Sequence, residues 1–262
     1  MKLSVIIPTL NEAESIERTI RAVRAKAAGA DPEIVVSDCG STDRTADIAH
    51  ALNVTVIQDE RMGSRAEAAN RGAQNATGDT FFFLDADTLP PDRFDAEIAR
   101  VLEDSSVVGG AFDFGFDGDG LSLRLIELVS RLRFRLLWQE YYSDQGVFVK
   151  REAFNRIGGF PARRLMETAH LCKKLRSVGR LRLSPVRSLT SSRRFTEGGI
   201  WRVFLRDVKI WFLDAIGMET DRFAHEYREN NVQRARQTGP HVESGMNTRS
   251  AKKSWKNTGR SG

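Results

Sequence analysis

Two aspartates stand where an apolar run ends. Residues 81–84 read Phe-Phe-Phe-Leu, and Asp85 and Asp87 follow, two residues apart. In an extended chain such residues project to the same side, roughly 6–7 Å apart. Carboxylates so placed repel each other and favour solvent or a cation. Their hard oxygens suit Mg²⁺ or Mn²⁺, and Mg²⁺ usually takes one or two carboxylates together with substrate phosphates. Asp85 and Asp87 therefore suit a divalent cation held against a diphosphate. The plainer reading is a strand end and a cap for a helix opening near Pro91, and the neighbouring segments must decide. A second stretch, Asp-Cys-Gly-Ser-Thr-Asp-Arg-Thr at 38–45, combines a turn glycine with small hydroxyls at the start of a helical pattern. Backbone N–H groups left free at such a helix start would favour an anion or a polar ring. Asp38 can accept hydrogen bonds from a nucleobase N–H.

The elements needed to position these residues are legible around them. Strand-like runs at 2–8, 33–38, 54–59 and 79–87 alternate with helix-period segments at 11–28, 41–52 and 64–76, with Ser41 as a candidate cap. This alternation predicts an α/β, Rossmann-like fold with a mainly parallel sheet flanked by helices. Ligands of such sheets bind beyond the carboxyl ends of the strands. Residues 8–12, 38–43, 59–65 and 85–87 are the polar loops after the four strands, so all fall on one edge, and the plain reading of Asp85 and Asp87 gives way to a site. Further on, 107–116 reads as a strand and 121–139 as an amphipathic helix. Residues 144–161 read as strand, helix and a Gly-Gly turn, 165–179 as a helix, 180–185 as the approach to another strand, and 198–228 as helical. The expected organisation is one domain over 1–197, a helical C-terminal extension over 198–229, and a tail over 230–262.

Composition narrows the partners. The formal charge of the 262 residues is +5, yet residues 230–262 hold seven Lys/Arg and one Glu, so the preceding part sums to −1. A neutral body argues against nucleic acid as the partner, and the basic, Gly/Ser/Asn-rich tail is expected to stay unfolded. Two cysteines, Cys39 and Cys172, make neither a disulfide framework nor a metal cluster. No signal-peptide pattern and no bilayer-length apolar run is expected, which points to a cytoplasmic protein.

Taken together, residues 4–12, 37–45, 70–88, 144–161 and 165–181 resemble the family-2 inverting glycosyltransferases, which have the GT-A fold. The likeness spans about residues 3–220. It is strongest to a subgroup without membrane spans that carries the name of arsenosugar biosynthesis. The resemblance implies a sugar moved from a nucleoside-diphosphate donor, UDP-linked by preference, to a hydroxyl acceptor with Mn²⁺ or Mg²⁺ as cofactor. Pro8, Thr9, Asn11 and Glu12 would shape the base and ribose pocket, with Asp38 reading the base and Arg65 touching base or diphosphate. Asp85 would touch ribose and metal, and Asp87 the metal. Gln145 would line the sugar and acceptor side, and Arg193 with Arg194 would neutralise the departing diphosphate.

One position departs from the pattern. The family's general base comes from a Glu-Asp pair; here Glu167 is kept and Thr168 stands in place of the Asp. Glu167 is the expected base, with Asp144 the next candidate; His170, one turn along, is expected to be a partly buried helix residue, the alternative being that it assists or replaces Glu167. The competing readings are a catalytically silent sugar-nucleotide-binding module and a nucleotidyl transferase, the latter without an evident triphosphate loop. Residues 200–216, dense in apolar and aromatic side chains with Arg202, Arg206 and Lys209 on one stripe, read as a core or homodimer helix. The alternative is a peripheral contact with the inner face of the membrane that brings the site to a lipid acceptor.

Overall fold

The structure is a computed structural model that describes residues 1–29, 31–133 and 140–224. Its centre is the apolar run Phe81–Leu84. Strand β4 (Thr80–Phe83) is buried along its whole length, as is β1 (Leu3–Thr9) beside it. β1 pairs in parallel with β4 on one side and with β2 (Glu33–Asp38) on the other, and β3 (Thr55–Gln58) extends the parallel set. Side chains alternate between the two faces. Phe82 enters a core with Val5, Ile7 and Phe94, whereas Phe81 and Phe83 enter a second core with Ile6, Phe154 and Phe160. The first core lies under helices α1 (Ile16–Lys26), α2 (Thr45–Ala51) and α4 (Phe94–Leu102). The second lies under α3 (Arg65–Asn75), α6 (Arg151–Arg156) and α7 (Glu167–Leu175). Each aromatic ring of β4 removes enough apolar surface to contribute about 1.5–3 kcal/mol.

The full sheet has eight strands in the order β3-β2-β1-β4-β7-β6-β8-β5. The remaining strands are β5 (Thr88–Leu89), β6 (Val107–Phe116), β7 (Val147–Lys150) and β8 (Arg180–Thr190). The sheet is mixed instead of mainly parallel. β7 enters antiparallel to both β4 and β6, β6 and β8 are parallel, and β5 closes the edge antiparallel to β8. A buried apolar run carries no mark of its direction, so the alternation could not report this reversal.

The first four carboxyl ends nevertheless share one edge. The second half adds α5 (Leu121–Arg133), α8 (Arg193–Gly198) and α9 (Ile200–Ala215) around a third core of Phe114, Phe116, Leu123, Ile126, Phe195 and Val203. Several expected helices differ in extent: that expected over 41–52 is Thr45–Ala51, and that over 165–179 is Glu167–Leu175. The first starts at Ile16 instead of 11. The fifth is described only to Arg133, so its expected continuation to 139 lies outside the described residues. The last ends at Ala215, before Gly217 at φ 80°, with residues 225–229 and the tail outside the described residues. Among the described residues, no helix is long and apolar enough to cross a membrane.

Candidate active site

The loops after β1 and β2 are laced together. Asn11 occupies a left-handed conformation at φ 58°, and its side-chain oxygen accepts from the Thr42 amide at 2.8 Å. The amides of Asn11 and Glu12 donate to the hydroxyls of Ser41 and Thr45, both at 2.8 Å, and that of Ala13 to Asp43 at 3.1 Å. These engaged amides are the reason α1 waits until Ile16.

Asp38 is fully buried. One of its oxygens accepts from the amides of Gly40 and Ser41, at 3.0 and 2.8 Å, and the other from the hydroxyls of Thr9 and Ser41, at 2.9 and 2.5 Å. Two expectations change here. Asp38 fastens the turn instead of presenting an acceptor to the cleft, and the amides of 40–42 are satisfied by the protein's own oxygens. Ser41 does not cap α2, whose first amide, Thr45, donates to Asp43 at 3.0 Å. Gly40 adopts φ +86°, and a Cβ there would stand 3.1 Å from the Glu60 backbone.

Beyond these loops opens a cleft of about 1320 Å³. Pro8, Thr9, Glu12, Arg65, Asp85, Asp87, Asp144, Gln145, Glu167, Arg193 and Arg194 all line it. The strongest feature is a cation shared between two acids. Arg65 Nε donates to Asp85 at 2.7 Å, and its Nη1 donates to Glu167 at 3.1 Å and to the Thr168 hydroxyl at 3.5 Å. Both ends of this bridge are set by helix starts. Arg65 is the first residue of α3, whose cap Ser64 accepts from the Glu67 amide at 3.2 Å. Glu167 is the first residue of α7, where the helix dipole favours a carboxylate. Arg65, Asp85 and Glu167 lie far apart in sequence and are joined at one point of the cleft.

Asp87 sits beyond Asp85, anchored where its carbonyl accepts from the Ser191 amide at 3.1 Å. Burial and then the like charge of Asp85 push its carboxyl from 3.8 to about 6, against Arg193 and Arg194, which pull it down. Arg193 also pairs with Glu14 and, at 3.6 Å, with Glu12, and Arg194 pairs with Asp207 of α9 at 2.8 Å. The expected basic pair is therefore in place, at the wall beside Asp87. β4 ends at Phe83 instead of running to 87, and the Thr88 amide donates to the Asp85 carbonyl at 3.0 Å, so Asp85 and Asp87 reach the cleft from a turn; their hard oxygens fit Mg²⁺ or Mn²⁺. Among the described residues, no cluster of three ligating side chains exists to complete the shell, so phosphate oxygens or water would have to.

Gln145 lines the cleft, but its side-chain polar atoms are engaged within the protein. It is buried, its Nε2 donates to the Phe112 carbonyl at 3.2 Å, and its Oε1 accepts from the Tyr142 amide at 3.0 Å. Its amide is spent on holding the turn Ser143–Gln145, and so places Asp144 at the cleft. His170 is a half-buried residue of α7, as expected, and does not line the cleft. Its Nε2 meets Asp214 of α9 at 3.0 Å and Arg163 at 3.0 Å, a tie between α7 and α9 instead of an assistant to Glu167. Residues that the sequence reading missed include Asp113 and Arg131, paired at 3.1 Å and both on the cleft wall. Their only signal was an acid inside a strand and a base on a helix, neither of them distinctive.

An α/β sheet with acids and small hydroxyls at its carboxyl edge, facing a carboxylate on a later helix, is the framework of GT-A sugar-nucleotide enzymes. Residues 4–165 match the profile of Glycosyl transferase family 2, well over half of the chain, and the chain belongs to that family. Glycosyltransferase AglE of Haloferax volcanii is 28% identical over 170 residues, which cover 61% of this chain and 56% of that protein. The chain thus spans little more than half of that relative's length. Among solved structures, mannosyltransferase PcManGT from Pyrobaculum calidifontis, in complex with GDP-Man and Mn²⁺, superposes with a TM-score of 0.65. It is 23% identical, over 91% of this chain and 76% of that one. Glucosyl-3-phosphoglycerate synthase from Mycobacterium tuberculosis, with Mn²⁺, UDP and phosphoglyceric acid, gives 0.58 at 22% identity, over 82% and 78%. At these identities the likeness is one of fold.

Proposed function

We propose that this chain is an inverting glycosyltransferase that takes a sugar from a nucleoside-diphosphate donor, UDP-linked by preference, and uses a divalent cation. The observation that carries the reading is the Arg65 bridge, because it sets the acid pair and the candidate base around one cleft. Asp85 and Asp87 would hold the cation. When bound, it would neutralise charge on the diphosphate leaving group.

The other steps belong to the chain itself. The laced loops 8–12 and 38–45 form the wall for base and ribose. Glu167 takes the proton of the acceptor hydroxyl as that oxygen bonds to the anomeric carbon. The bond from that carbon to the diphosphate breaks on the opposite face, its electron pair leaves with the nucleoside diphosphate, and the configuration inverts. Arg193 and Arg194 lie where they can meet the departing charge. Asp144, on the same cleft, is the next candidate for the proton.

The Mn²⁺ carried by the two matched structures and the family membership of residues 4–165 support this reading. So does the resemblance of the motifs to the arsenosugar-type subgroup. The test is thermal stability with UDP or GDP, each with and without Mn²⁺, followed by release of nucleoside diphosphate from the donor that binds. Glu167→Gln should keep the nucleotide-dependent shift and lose turnover. Binding without turnover in the wild type would instead identify a silent sugar-nucleotide-binding module, a reading that Thr168 in place of the family's Asp motivates.

A further inference from the structure

Helices α5 and α9 bury one face each in the same core, through Leu123 and Ile126 of the first and Val203 of the second. Their other faces therefore look away from that core. On α9 the outward stripe carries Trp201, Leu205 and Phe212, which are 49, 64 and 56% exposed. On α5 it carries Leu125, Leu128 and Leu132, exposed to 45, 50 and 47%. Isolated exposed leucines need no explanation, but two adjacent helices with apolar outer stripes mark an interaction surface.

The charges identify the partner. All three acids of the two helices turn to internal partners. Glu127 accepts from the Phe116 amide at 2.8 Å, Asp207 pairs with Arg194 at 2.8 Å, and Asp214 is buried against His170 and Arg163. Among the described residues, the exposed charges left on the pair are basic: Arg124, which lies 3.9 Å from Asp119 ahead of α5, Arg202 and Lys209. The chain that continues beyond the described helices adds the excess of +6 in residues 230–262, on a body that sums to −1. An apolar stripe with aromatic members, flanked by basic groups, is the pattern of a helix lying in a lipid interface. A second copy fits poorly, because a two-fold contact would set these same cations against themselves.

We propose that the outward face of α5 and α9 docks on an anionic lipid bilayer. Arg206 and Trp211 of α9 line the cleft, so docking places the mouth of the site at the bilayer surface, where a lipid-borne acceptor would enter. The inference does not depend on the reaction proposed above, since it concerns adsorption and not turnover.

The experiment is flotation of the full chain with vesicles of phosphatidylcholine, alone or mixed with phosphatidylglycerol, alongside light scattering of the protein without lipid. The wild type should float with the anionic vesicles and much less with the neutral ones. Leu205→Glu with Phe212→Glu, both outside the cleft, should lower the bound fraction roughly tenfold or more while circular dichroism and the melting midpoint hold. Leu125→Glu with Leu128→Glu gives an independent loss if the first pair disturbs folding. Absence of flotation, or flotation unchanged in both variants, would overturn the proposal. So would a wild-type dimer that the variants dissociate, which would assign the face to a second copy.

Discussion

Neutralising Asp87 should stabilise the ligand-free protein. Its carboxyl is raised from 3.8 to about 6, first by burial and then by Asp85. A shift of about 2 units corresponds to about 3 kcal/mol of disfavoured charge in the folded state. Solvent in the cleft screens part of it, which leaves about 1–2 kcal/mol, or roughly 2–8 °C in melting midpoint for a chain of this size. The dependence on pH fixes the cause. Above about pH 6 the aspartate is ionised in both states, so the folded state carries the whole penalty and Asp87→Asn gains in full. Between pH 6 and about 4 the folded state binds a proton that the unfolded state does not, so the wild type catches up. Below the ordinary value the gain is gone.

Asp85→Asn should act with the opposite sign. It removes the 2.7 Å partner of Arg65 and should cost about 1–3 kcal/mol. The assay is thermal melting in a metal chelator across this pH range, repeated near neutrality with Mn²⁺ and UDP. Ligand at a hundred times its Kd adds about 2.7 kcal/mol to the wild type and should add nothing to Asp87→Asn. Destabilisation by Asp87→Asn in the chelator, or a gain undiminished at low pH, would refute the assignment of burial and like charge as the cause.

Three further outcomes follow from the same geometry. Arg65→Ala leaves Asp85 and Glu167 facing each other without their shared cation, and should lower the melting midpoint by several degrees and turnover by about tenfold or more; Arg65→Lys should restore only part, since one ammonium cannot span both acids. Asp214→Ala leaves the Arg163 guanidinium without its 3.1 Å partner and His170 without its 3.0 Å partner. It should destabilise by about 2–4 kcal/mol in denaturant titration, with turnover falling more than nucleotide affinity because α7 carries Glu167. Gly72→Ala would put a Cβ 2.5 Å from Ile6 Cγ2, a backbone-close clash between α3 and β1 that should cost about 1–3 kcal/mol in the same titration.

The sheet edge was legible because its pattern is local. Phe81 to Leu84 and the runs at 5–7 and 34–36 are continuous apolar stretches with a polar loop after each strand, so the carboxyl ends and the acids on them could be placed without tertiary information. The cleft's far side was not. Arg65 was recognisable as a base near the site, but its bridge to Glu167 joins residues 102 apart in the chain, a distance over which no periodicity carries information. Asp38 was legible near the site, but a polar residue in a loop looks available on paper, and only the surrounding amides and hydroxyls show that its lone pairs are taken. The contacts of Gln145 with Phe112 and Tyr142 were hidden in the same way. So was the partner of His170, since Asp214 stands on a helix whose docking the sequence does not specify.

The exchange of the family's second acid for Thr168 has a physical rationale in this cleft. Arg65 is already divided between Asp85 and Glu167, and the Thr168 hydroxyl lies 3.5 Å from both the Arg65 Nη1 and a Glu167 oxygen. A carboxylate at 168 would stand against Glu167 and add a third acid to the one guanidinium that Asp85 and Glu167 already share. Two like charges at that spacing raise one pKa and leave a proton shared between them. A neutral hydroxyl avoids that repulsion and leaves Glu167 as a single carboxylate held by one guanidinium. The same guanidinium meets Asp85 at 2.7 Å, so Arg65 ties the end of β4 to the first turn of α7 across the cleft.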